Sequence, residues 1–193
     1  MVTQRDSRLL NDFLGSAEIF TSAVNDLMAR QLKEVTGTDV TFSQLKLLKM
    51  VAATGGYSVS NLAQFLGVST AAASRAVDRL VKRGLLHREE AADDRRAVQL
   101  SLTPEGVKLL ERYDQAAEVA LQGAFETLTA EQLQETGDLL DRLSLRLVER
   151  GNGSDSMCFR CGIHFRDRCL LRQSQDGTCL YHLEKKQRRR QGG

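Results

Sequence analysis

The 193-residue sequence predicts a mainly α-helical chain with one two-stranded ribbon, and three observations point there. Apolar residues recur at three- and four-residue steps over long stretches near the start and again after residue 103. Two short helical patterns, about residues 58–66 and 69–82, meet at a Gly67–Ser69 turn. Directly after them, residues 86–102 alternate apolar and polar with period two, as strands do. A helix-turn-helix followed at once by a hairpin tipped with arginines is a winged helix. The long N- and C-terminal helices are then left over to form a dimerisation bundle.

Taken in order, Leu9, Leu10, Phe13, Leu14, Ala17, Phe20, Val24, Leu27, Met28, Leu32 and Val35 form one stripe over residues 5–35. That stripe is too long for one small domain to cover, so it lies across a second subunit or along other long helices. Gly37 breaks the helix, and residues 1–40 are read as an N-terminal dimerisation segment. Thr41 opens the next helix with Gln44 as its capping-box partner, and residues 41–103 make up the winged unit. Ser58 can cap a helix carrying Leu62, Ala63 and Leu66, closed by Gly67. Ser69 caps the following helix, which stops at Gly84.

That second helix has two chemical faces. Ala73, Ala76, Val77, Leu80 and Val81 share one, which must bury; Ala71, Arg75, Asp78, Arg79 and Lys82 share the other. Taken alone, a mixed charged face is ordinary solvated surface. Here small residues, Thr70, Ala71 and Ala72, stand at the N-terminal end, where free backbone N–H groups suit phosphate and a close approach suits a groove floor. The candidate DNA-contacting residues are therefore Ser69, Thr70, Ala71, Ser74, Arg75 and Arg79, joined by Arg95 and Arg96. The last two end a polar turn over residues 91–96, placed for phosphate or a minor groove.

After the ribbon, Thr103 and Pro104 start a helix carrying Val107, Leu110, Tyr113, Ala117, Leu121 and Phe125. Thr129 and Gln132 cap a last one with Leu133, Leu139, Leu140, Leu143 and Leu147. Residues 104–150 are thus the C-terminal dimerisation helices. Residues 151–193 are a linker and a basic tail rich in cysteine and histidine.

The segment from Leu62 to Gly106 resembles the winged helix of the MarR family of bacterial transcription regulators. The likeness is carried by Ser69, Ser74, Arg75, Val77, Asp78, Leu80, Gly84 and Leu85, then Asp94, Arg95, Arg96, Leu102, Thr103 and Gly106. The resemblance implies a homodimer on double-stranded DNA with a pseudo-palindromic operator, often released by a small-molecule effector or by oxidation. It does not extend to the last 40 or so residues.

Charge separates the tail from the rest. Residues 1–150 carry 18 Lys and Arg against 21 Asp and Glu, a balance of −3, whereas residues 151–193 carry 9 against 4, a balance of +5. All four cysteines fall within 22 positions of the tail, at Cys158, Cys161, Cys169 and Cys179, with His164 and His182 beside them. In a cytoplasmic protein such clustering favours a metal or redox site over structural disulfides. For zinc, Cys158, Cys161, Cys179 and His182 give two x2-spaced pairs and leave Cys169 idle. For an iron–sulfur cluster the four cysteines suffice, although their spacing matches neither ferredoxin pattern. Both stay open, as does a bare thiol switch without metal. The terminal run of lysines and arginines is ordinary solvated charge, or else a phosphate-tracking arm.

No run approaches 18 apolar residues and no signal peptide opens the chain, so a cytoplasmic protein without a membrane span is expected. An enzyme is not expected: there is no Gly-rich phosphate loop, no nucleophile–base pair and no thioredoxin-like context around Cys158 and Cys161. The expected function is a sequence-specific repressor responding to metal or redox state through the tail. The alternatives are ligand gating with a merely structural zinc, and a winged helix that binds protein.

Overall fold

The computed structural model describes residues 4–37, 40–54, 59–91 and 94–150, and in the tail residues 161, 164, 166, 169, 170 and 179. In order the elements are α1 (Gln4–Thr36), α2 (Phe42–Thr54), α3 (Val59–Leu66), α4 (Thr70–Lys82), β1 (Leu86–Ala91), β2 (Asp94–Leu102), α5 (Pro104–Phe125) and α6 (Ala130–Arg150). This is the expected mainly α chain with a two-stranded antiparallel wing.

Both expected capping boxes are made. The Thr41 N–H donates to Gln44 Oε1 at 2.9 Å and the Gln44 N–H returns to Thr41 Oγ1 at 3.3 Å; Thr129 and Gln132 repeat the exchange at 2.9 and 3.2 Å. The expected cap at Ser58 lies outside the described residues. At its other end α3 closes on Gly67 (φ +65°), with the Val68 N–H on the Ala63 carbonyl. Gly84 (φ +66°) closes α4 in the same way, with the Leu85 N–H on the Leu80 carbonyl and the Gly84 N–H on Val81. Both are Schellman closures, in which a left-handed residue turns the chain back on itself.

α2 sits at the centre of the core, with Leu45, Leu47, Leu48, Met50 and Val51 all buried, so it is covered on nearly every side. α3, α4, the base of the wing and α5 close around it. α1 joins this core only through its C-terminal half, where Met28 and Leu32 are buried. α1 and α5 run antiparallel: Arg112 of α5 donates to the Val35 carbonyl at 2.8 Å, and Phe20 meets Phe125 edge-to-face at 6.3 Å. The N-terminal half of the α1 stripe stays open, from Leu9 at 62 % exposure to Phe20 at 50 %. α6 likewise exposes Leu133, Leu139, Leu140, Leu143 and Leu147.

Tyr113 of α5 is fully buried beneath Lys49, whose ammonium lies 5.3 Å from the ring centre and pairs with Asp114. Burial, and then the neighbouring Asp114 charge, push the Tyr113 pKa up to about 12, so the phenol stays protonated.

The wing corrects one expectation. The connection is shorter than residues 91–96, because β1 runs to Ala91 and β2 begins at Asp94. Arg95 and Arg96 therefore belong to the backbone of β2 and not to the turn. The register passes from Glu90↔Val98 directly to Ala91↔Asp94, which leaves residues 95–97 unmatched as a bulge on β2. Polarity suggested a loop; the ladder resumes beyond the bulge and claims those residues.

The wing joins α5 at one residue. Thr103 Oγ1 donates to the Gly84 carbonyl at 2.6 Å and accepts from the Gly106 N–H at 2.9 Å, while the Thr103 N–H donates to the Leu85 carbonyl at 3.2 Å. A Cβ on Gly106 would stand 2.3 Å from the Leu85 carbonyl oxygen, so only glycine allows this approach. Gly106→Ala should therefore lower stability by about 1–3 kcal/mol through overpacking. Thr103→Val should lower it by about 2–4 kcal/mol, because the cap goes and buried backbone partners are stranded. Thermal unfolding of both variants checks this. Wild-type stability in either would remove the junction from the account.

Candidate nucleic-acid interface and the cysteine tail

α4 presents its two faces as the sequence predicts. Ala73, Ala76, Val77 and Leu80 are buried and Val81 is half-buried. Ala71, Arg75, Asp78, Arg79 and Lys82 are exposed, with Ser69 and Thr70 exposed at the helix start and Ser74 half-buried beside them. Ser69 caps the helix by accepting from the Ala72 N–H at 3.2 Å. The buried face fixes the rotation of α4 about its axis, so the cationic face can point only outward.

One contact escaped the sequence reading. Arg88 of β1 donates to Asp78 Oδ1 of α4 at 3.1 Å, tying the wing to the solvent face of the helix. Both partners are well exposed, so the pair adds little stability and serves to hold the two parts in register. Period-two alternation placed Arg88 on a strand, yet nothing in the sequence revealed that the strand lies over Asp78. Arg95 and Arg96 enter only through their backbone, since their side chains lie outside the described residues.

Residues 38–97 match the MarR family. These 60 residues are similar to the winged helix of that family. The chain is similar to YhbI of Bacillus subtilis, an uncharacterised HTH-type transcriptional regulator, at 37% identity over 98 residues, which is half of this chain and 62% of that protein. It is 28% identical over 144 residues to the multiple antibiotic resistance protein MarR of Salmonella typhimurium, covering 74% of this chain and 85% of that one. Among solved structures, a variant of E. coli MarR in complex with operator DNA superposes with a TM-score of 0.55 at 27% identity, over 70% of this chain and 97% of that one. YhbI is described as a transcriptional regulator and the E. coli MarR variant was solved on operator DNA; neither description is of an enzyme. The MarR-type module here consists of α2 to β2, with α5 leading out of it.

Among the tail residues described, Cys161, Cys169 and Cys179 are half-buried, and Cys169 and Cys179 are free thiols. The His164 N–H closes a turn on the Cys161 carbonyl at 3.1 Å. His164 is exposed, yet the desolvation it meets and the positive charge of Lys49 lower its pKa below the usual value, Asp114 opposing and Lys46 assisting. Arg166 makes two bonds to the Asp141 carboxylate of α6, at 2.6 and 2.8 Å. Among the described residues no three of His, Cys, Asp and Glu are arranged to hold a metal ion. Cys158, which both metal readings need, and His182, which the zinc reading needs, lie outside them.

On the α1–α5 seam a cleft of about 540 Å³ is lined by Gln31, Val35, Arg112, Gln115, Ala116, Val119 and Ala120. No described helix is long and apolar enough to cross a membrane.

Arg75→Ala tests the reading face, because Arg75 is exposed on it and serves no core contact. The variant should fold as wild type and lose about 1–3 kcal/mol of sequence discrimination per half-site. Competition between specific and random duplexes measures it. Undiminished discrimination would take the reading role away from α4.

Proposed function

We propose that the chain is a homodimeric, sequence-specific DNA-binding repressor acting in the cytoplasm, with the cysteine tail responding to metal or redox state. The observation that carries the DNA reading is the solvent face of α4. Arg75 and Arg79 project from a helix locked by four buried residues, behind a capped N-terminus of small residues. The operator complex of E. coli MarR, similar over 70% of this chain, supports the same use.

Dimerisation follows from what one chain leaves open. The exposed apolar residues of α1 (Leu9, Leu10, Phe13, Leu14, Phe20) and the leucines of α6 form a larger apolar surface than a monomer ordinarily shows to water. A second copy would cover both and bring two winged helices onto successive half-sites. For the tail, the support is the clustering of all four cysteines, with zinc and an iron–sulfur cluster both compatible with the ligand types. A second reading, gating by a small molecule, is favoured by the α1–α5 cleft, where Arg112 offers a cation to an acidic ligand.

Duplex binding should weaken steeply with salt, by about a thousandfold from 50 to 200 mM if six phosphates are neutralised. Sedimentation should show a dimer that Leu140→Asp with Leu143→Asp converts to a monomer deficient in DNA binding. A salt-insensitive interaction would favour a protein-binding module instead. Protein purified without oxygen should contain zinc, or iron with sulfide, lost in Cys158→Ser/Cys161→Ser. Metal-free protein whose DNA affinity ignores chelator and oxidant would overturn the sensor.

A further inference from the structure

α6 shows two different faces. Gly137, Asp138, Asp141, Leu145 and Val148 are half-buried, whereas the leucines 133, 139, 140, 143 and 147 look outward on the other side. No other described element packs broadly against α6. The contact made to its half-buried face comes from the tail: the Arg166 fork closes on Asp141, whose side chain is only 18% exposed. Two residues earlier, His164 is within electrostatic reach of Lys49 and Lys46 of α2 and Asp114 of α5. Cys161, Arg166 and Cys169 stand within nine residues of the tail, and a thiolate formed at either cysteine would favour the charged Arg166.

We propose that Cys161, His164, Arg166 and Cys169 of the tail act as a strap fastening α6 to the winged-helix body, with Arg166–Asp141 as its buckle and the two cysteines close to it in sequence. The strap engages Asp141 on the half-buried face of α6 and leaves the leucine face for a second copy, so both can be engaged together. A change at either thiol then acts on the residue that holds α6. The strap itself does not depend on the metal reading, and only its effect on DNA rests on the proposed dimer.

Hydrogen exchange of the full-length reduced chain tests it. Arg166→Ala and Asp141→Ala should each speed exchange across residues 137–148 by about three- to tenfold, more than an ordinary exposed pair would give, because a bidentate fork is lost. The double variant should be no faster than either single, and the exchanged pair Arg166→Asp/Asp141→Arg should recover part of the protection. Alkylating the tail cysteines with iodoacetamide should speed the same segment in wild type and add nothing in Arg166→Ala. Unchanged exchange in both single variants, or rates that multiply in the double, would overturn the strap. Alkylated wild type with unaltered α6 exchange would overturn its link to the thiols. Exchange decides these points whatever the DNA affinity or oligomeric state turns out to be.

Discussion

The Thr103 hydroxyl holds three parts of the molecule in one place. It binds the Gly84 carbonyl, where the chain leaves α4, and it caps α5 through the Gly106 N–H, while its own N–H pairs with Leu85 at the base of the wing. α4, the wing and α5 therefore share one buried junction. Were any of these bonds missing, a buried polar group would be stranded at a cost of about 1–3 kcal/mol. Were Gly106 any other residue, the start of α5 could not come so close to Leu85. The end of α4 and the start of α5 thus meet at a hydrogen-bonded junction.

The inner faces of α2 and α4 are satisfied within one chain, yet the outer half of α1 and the leucine face of α6 are not. An arrangement closed on itself around DNA-reading modules, but open along its long helices, suits a protein completed by association. The tail adds a second tether to α6 through Arg166, on the side away from the leucines.

Most of the fold was legible from local signals. Caps at Thr41, Ser69, Thr103 and Thr129, and helix closures at Gly67 and Gly84, each rest on side chains or backbone freedom acting within a few residues. The buried and exposed faces of α4 followed from helical periodicity alone. The bulge at residues 95–97 was not legible, because a polar arginine pair looks the same in a loop as in an irregular strand. Arg88–Asp78 and Arg166–Asp141 were hidden for another reason: the first joins a helix to a strand, and the second spans 25 residues, so neither leaves a periodic trace. The cysteine cluster announced itself by composition, which is silent on how its members are arranged.

The central claim is that two copies of α4, held at fixed separation, read one DNA site. Selection of bound duplexes from a random pool by the full-length chain tests it most directly. Enrichment of an inverted repeat whose half-sites are about 10 base pairs apart, centre to centre, is expected. Enrichment of a single unrepeated site, or none at all, would contradict it.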